Sequence, residues 1–195
     1  MHISRKQPLM VALSLMVATL PAFSQSDRLR INHSQFYSIY NPSMKCPDHV
    51  GWTIHAGDIG TAKRVVWWKF LSDLPDSLVY VRHSDFTNSG YQRGHMCPAA
   101  DRSKSTALMR GTFLLSNIAP QVPSLNTGAW KASEEFCRRM AQRHDSVSVL
   151  VVPVFMNRDT TYIGRNRLAV PHGFFKACWV TATDSILGSW FLFNK

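Results

Sequence analysis

The 195-residue chain is short of acidic residues, with 12 Asp and Glu against 22 Lys and Arg, and charged residues make up only 17%. So little charge beside 45% hydrophobic residues, 6 Trp and 11 Phe excludes a mainly disordered polypeptide. Internal repeats, low-complexity tracts and Gly/Ser-rich linkers are all missing, which excludes a solenoid or a string of tethered modules. There is no apolar run of the ~20 residues needed to cross a bilayer. Cysteine is sparse at 4 residues, and the Cys46/His49 and His95/Cys97 pairs lack C-x-x-C spacing, which argues against zinc. The chain is too short for two ordinary domains of roughly 100–200 residues and long enough for one sizeable core. Its formal charge of +10 favours a polyanionic partner: nucleic acid, an anionic membrane surface or an acidic glycan.

Residues 1–24 have the pattern of a secretory signal peptide. Arg5 and Lys6 precede an apolar run from Leu9 to Leu20, and Ala22-Phe23-Ser24 places small residues around a cut. Cleavage leaves residues 25–195 as one domain of 171 residues, removes two basic and no acidic residues, and lowers the charge to +8. The expected destination is the periplasm or the medium, with no stable membrane association after cleavage. An oxidising compartment permits disulfides, and Cys46, Cys97, Cys137 and Cys178 allow three full pairings, none of which the sequence selects.

Runs rich in β-branched and aromatic residues predict strands at 36–40, 52–55, 65–70, 147–154, 174–181 and 186–193. A helix is predicted from Thr127, as N-cap, to Arg143, with Ala129, Trp130, Phe136, Cys137, Met140 and Ala141 on the core-facing arc. Glu134 and Arg138 fall at the edge of that arc, one turn apart, where an ordinary i,i+4 pair is the simplest reading. Strands that do not alternate regularly with helices predict an α+β fold.

The densest chemistry lies in Gly90-Tyr91-Gln92-Arg93-Gly94-His95-Met96-Cys97-Pro98-Ala99-Ala100-Asp101-Arg102, entered through a break at Asn88-Ser89-Gly90. In an extended segment Arg93 and His95 project to one face, so a neutral imidazole that can accept a proton from water sits beside a guanidinium that can hold a phosphate oxygen. Downstream, Asn117, Gln121 and Asn126 lie among apolar residues before the helix. An amide oxygen is an acceptable ligand for Mg²⁺, which keeps several waters, whereas turn or cap chemistry is the plainer use of Asn117 and Asn126. Arg102, Lys104, Arg110, Arg158, Arg165 and Arg167 could line a positive groove or merely cover a solvated surface.

Taken jointly, Arg93-Gly94-His95, then Asn117-x-x-Pro120-Gln121-x-x-x-x-Asn126-x-x-x-Trp130-x-x-x-Glu134-x-x-x-Arg138, resembles the DNA/RNA non-specific endonuclease family, marked by Asp-Arg-Gly-His and a downstream Asn-containing segment and helix. The likeness extends to Tyr37-Ser38-Ile39-Tyr40 and to Val170-Pro171-His172-Gly173-Phe174-Phe175-Lys176. It implies a mainly antiparallel central sheet flanked by helices, with a ββα-metal active-site motif. His95 is then the general base, and Asn126 the single direct protein ligand of a hydrated Mg²⁺, with Mn²⁺ or another divalent cation as substitutes. Glu134 orients water in the metal's hydration shell, Arg93 and Arg138 neutralise transition-state charge, and Asn117, Gln121 and Gln92 bind substrate or shape the site. The implied substrates are DNA and RNA, cut with little sequence preference to leave 5′-phosphates. An inhibitor protein or a homodimer is left open by the sequence.

The family's usual Asp before the Arg is Gln92 here, so a neutral amide replaces a carboxylate. Because base and metal ligand are retained, activity is expected to survive. The alternative is a catalytically weak nucleic-acid-binding module of the same fold, whose binding is salt-sensitive and whose properties ignore His95.

Overall fold

The computed structural model describes residues 28–64, 71–75, 78, 81–156 and 160–195. The predicted signal peptide and the predicted strand at 65–70 lie outside the described residues.

Period-two alternation builds the sheet. In β6 (Ser146–Val154), Val147, Val149 and Val151 are buried while the residues between them are half-exposed, and Val50, Trp52 and Ile54 of β3 (Cys46–His55) face the same way. β1 (Leu29–Asn32) and β2 (Tyr37–Asn41) add to one side of β3. β9 (Gly173–Val180) and β10 (Ile186–Phe193) add to the other side of β6. The resulting six-stranded sheet has the order β1-β2-β3-β6-β9-β10, with every neighbouring pair antiparallel. The α+β expectation is therefore met, and five of the predicted strands fall within these elements.

Two small antiparallel pairs stand apart from the sheet: β4 (Gln92–His95) with β5 (Ile118–Gln121), and β7 (Tyr162–Ile163) with β8 (Leu168–Ala169). The helices are α1 (Thr106–Arg110), α2 (Pro123–Thr127) and α3 (Ala129–His144). Helix α3 lies across one face of the sheet. Its Trp130, Cys137, Met140 and Ala141 join Val50, Trp52, Ile54, Val147, Val149, Val151, Phe174 and Cys178 in the main core.

The predicted helix requires three corrections. Thr127 closes α2 instead of capping α3, and its hydroxyl donates to the Pro123 carbonyl at 2.8 Å. Gly128 is the residue between the two helices. Ala129 is exposed although its neighbour Trp130 is fully buried, and the buried place on the arc goes to Ser133, whose hydroxyl donates to the Trp130 carbonyl at 2.7 Å. All four cysteines are buried and unbonded, with the Cys137 and Cys178 thiols in contact between α3 and β9.

Candidate active site

The β4–β5 pair and the start of α3 frame a cleft of about 920 Å³. Gln92, Arg93, His95, Asn126, Glu134 and Arg138 all line it, joined by Arg64, His83 and Lys131. Six positions to which the family resemblance assigns site roles, spread across 47 residues of sequence, thus meet in one cavity.

Local backbone explains the near end. Asn88 and Gly90 both have positive φ, 55° and 83°, a turn that suits Asn and Gly and delivers the chain into β4. Within β4, Gly94 pairs with Ala119, and a Cβ there would overlap the buried Gln121 side chain. Only a glycine lets that side chain pack beneath the strand, which leaves Arg93 and His95 on the cleft side. The Arg93 guanidinium donates to Nδ1 of His83. The His95 ring meets Phe113 edge-on, with centroids 4.8 Å apart. Burial, with the Arg64 and Arg93 charges adding to it, drives the His95 pKa down to about 3, so at neutral pH the imidazole is an unprotonated base.

Asn117 and Gln121 do not line the cleft. Both are fully buried behind it. The Asn117 amide accepts from the Cys97 backbone N–H at 2.9 Å and donates to the carbonyls of Cys97 and Thr112 at 2.8 and 2.9 Å, locking the segment after His95 to the start of β5. They shape the site from beneath and are out of reach of a bound molecule.

The far end is built by the α2–α3 break. Asn126 sits in the last turn of α2, and its Nδ2 donates to Gln92 Oε1 at 2.7 Å. That bond fixes the amide orientation and leaves Oδ1 as the heteroatom available to a cation. Among the described residues no group of three or more His, Cys, Asp and Glu side chains could hold a metal. The donor set instead fits a hard, largely hydrated cation held through one amide oxygen, with Glu134 in the same cleft. Gln92 accepts here with an amide oxygen, as a carboxylate would.

Glu134 and Arg138 do not form the simple i,i+4 pair. Arg138 reaches past the helix to Asp101, Nη1 to Oδ1 at 2.9 Å, and Trp52 Nε1 donates to the other Asp101 oxygen at 2.9 Å. Asp101 is fully buried, and this pairing aims the guanidinium at the cleft. Burial raises the Glu134 pKa to about 7, against the lowering influence of Lys176 and Arg138. Asp101 was not picked out from sequence, since nothing in the run Pro98–Arg102 distinguishes a buried carboxylate from a surface one. Arg64 and His83 likewise carried no signal.

The predicted basic groove needs one correction. Arg102 is buried, paired with Asp58 at 3.1 Å and donating to the carbonyls of Gln35 and Thr53, so it ties the core together. Lys104, Arg110, Arg165 and Arg167 are exposed, and Arg158 lies outside the described residues.

An imidazole base, three guanidinium groups and an amide oxygen facing one cavity can activate water against an anionic ester and neutralise the charge that develops. Comparisons with known proteins point the same way. The chain is 38% identical over 114 residues to human mitochondrial Endonuclease G, covering 52% of this chain and 38% of that protein. It is 32% identical over 182 residues to the mitochondrial Nuclease EXOG of Xenopus laevis, covering 85% of this chain and 48% of that one. A Nostoc sp. nuclease is 32% identical over 120 residues, 62% of this chain and 44% of its own. The chain thus spans less than half the length of these relatives. A solved structure of an EndoG/EndoGI complex shares the fold, with a TM-score of 0.74 at 24% identity over 97% of this chain and 81% of that one. The family model for DNA/RNA non-specific endonucleases matches residues 18–190, running unbroken through β4, β5 and α3, and the chain belongs to that family.

Proposed function

We propose that this chain is an exported, Mg²⁺-dependent endonuclease that hydrolyses phosphodiester bonds of both DNA and RNA, acting as one domain of residues 25–195 once residues 1–24 are removed. The observation that carries this reading is the convergence of His95, Arg93, Asn126, Glu134 and Arg138 on one cleft.

Asn126 Oδ1 would hold the cation, and Glu134 would accept hydrogen bonds from its hydration shell. When bound, the cation withdraws charge from the scissile phosphate and its leaving oxygen. Arg93, facing the cleft beside His95, receives a non-bridging phosphate oxygen, and Arg138, braced by Asp101, neutralises charge from α3. His95 takes a proton from the attacking water. The water oxygen forms the new bond to phosphorus as the bond to the 3′ oxygen breaks; the departing 3′ oxygen takes up a proton from solvent water and His95 returns its proton to solvent, leaving 5′-phosphate and 3′-hydroxyl ends.

A base with a pKa near 3 is weak at neutral pH; burial is the main cause of that depression, and the Arg64 and Arg93 charges add to it. A phosphodiester anion beside Arg93 offsets that cationic part of the field and so moves the His95 pKa upward, which strengthens it as a base. Backbone charge and hydrolytic residues carry the whole account, so neither base sequence nor the sugar is read. The matched solved structure is a complex of EndoG with EndoGI, so this reading leaves room for an inhibitor protein or a homodimer as a partner.

Purified mature protein incubated with plasmid and with RNA, with Mg²⁺ and with EDTA, tests this. Cutting of both polymers with Mg²⁺ and of neither with EDTA is expected. Salt-sensitive binding with no cutting under any divalent cation establishes the binding-module alternative instead.

A further inference from the structure

Strand β9 places the row Phe174, Lys176, Cys178 and Val180 toward α3, and all four are buried. Three of them suit that place. The fourth is a lysine with 0% exposure in the middle of the core. Its cross-strand neighbours are Val151 on β6 and Trp190 on β10, and its Nζ has no hydrogen-bond partner among the described residues. What it does have is the face of Trp130, with Nζ 4.5 Å from the ring centroid, a ring held edge-on by Phe174 at 5.2 Å.

A fully buried, unbonded ammonium costs several kcal/mol of lost hydration unless opposite charge lies close by. Here opposite charge does. Glu134 is one helical turn beyond Trp130 and lies beside the same indole, and Asp101 stands behind it, bonded to Arg138. Two carboxylates and two cations therefore share the space between β9, α3 and the Asp101 turn. Arg138 is hydrogen-bonded to Asp101, whereas Lys176 has no hydrogen-bonded partner among the described residues, and the Lys176 charge acts on Glu134 more strongly than that of Arg138. The other titratable groups facing Lys176 are the thiols of Cys97, Cys137 and Cys178.

We propose that Lys176 is a positioning residue: its ammonium, held against Trp130 at the back of the cleft, is the counter-charge that favours the ionised form of the Glu134 carboxylate. This rests on the reading of Glu134 above and adds to it a residue on the sheet that never touches substrate. The electrostatics agree, for Lys176 is the strongest influence opposing the burial that raises Glu134.

The test is a side-chain NMR titration of ¹³C-Glu-labelled, metal-free protein, following Glu134 in the native chain and in Lys176→Met and Lys176→Gln. The Glu134 midpoint is expected to rise by more than about one pH unit in both variants and to return in Lys176→Arg. With metal and DNA, the acid limb of the kcat profile moves up by the same amount, kcat at about pH 7 falls about fivefold, and KM stays within about twofold. A Glu134 midpoint unmoved by loss of the charge overturns the proposal. If neither neutral variant folds, the native Lys176 Cε–H resonances decide, because an amine found uncharged at about pH 7 also overturns it. The titration is independent of turnover, so an inactive enzyme whose Glu134 midpoint still follows Lys176 defeats the nuclease reading and leaves this proposal standing.

Discussion

Single residues here divide into those that meet the cleft and those that hold it open, and residue type alone did not separate them. Asn117 and Asn126 look alike in sequence, yet Asn117 is consumed by three backbone hydrogen bonds and Asn126 by one bond to Gln92. Asn117→Ala strands the polar backbone groups of Cys97 and Thr112 in the core, so urea denaturation should show a loss of about 2–4 kcal/mol. Gln92→Asp keeps an oxygen acceptor for Asn126 Nδ2 while adding a negative charge near the cation. Tighter metal binding by roughly tenfold is expected in a Mg²⁺ titration of activity, with Gln92→Leu losing the bond and weakening it. Spacing made Glu134 and Arg138 legible. Asp101 and Lys176 were not, because what matters about them is burial of charge, which a sequence does not display.

At the scale of elements, hydrophobic patterning located β2, β6, β9, β10 and the main helix to within a residue or two, but of the ten-residue β3 it found only the end at 52–55, because Pro47, Asp48 and His49 break the apolar pattern of its first half. The active-site strands β4 and β5 escaped as strands because they are four residues each and carry Gly94 and Pro120, both poor strand signals. The α2–α3 break was read as one helix start, since Pro123 begins a turn that ends only at Thr127. Gly94 is what lets β4 lie against the buried Gln121 side chain. Gly94→Ala forces β4 away from Gln121, and a cost of about 1–3 kcal/mol in thermal or urea unfolding is expected together with a fall in kcat. Gln121→Ala in the same chain should restore part of both, and strictly additive losses would show that the two side chains do not compete for one space.

For the whole molecule, charge and pH carry the account. The sequence's excess of basic residues finds a use in Arg64, Arg93, Arg138 and Lys131 around the cleft, while Arg102 is absorbed by the core. The His95 pKa is lowered on folding, so below about pH 6.5 the unfolded chain binds a proton that the native chain refuses, and stability falls as pH falls toward about 3. Between about pH 7 and pH 5, native protein should therefore lose roughly 2 kcal/mol more than His95→Ala in parallel urea titrations, whereas equal losses would place His95 in ordinary contact with solvent.

The proposed activity is the cutting of nucleic acid in one cleft, with His95 as base and Asn126 as the cation's ligand. It is tested most directly by comparing native protein, His95→Ala and Asn126→Ala on plasmid DNA and on RNA in Mg²⁺, with binding in EDTA measured on the same samples. Cleavage of both polymers should fall by about 10²–10⁴-fold in each variant while binding in EDTA changes by less than about threefold. Variants that cut both polymers at the native rate would contradict the account.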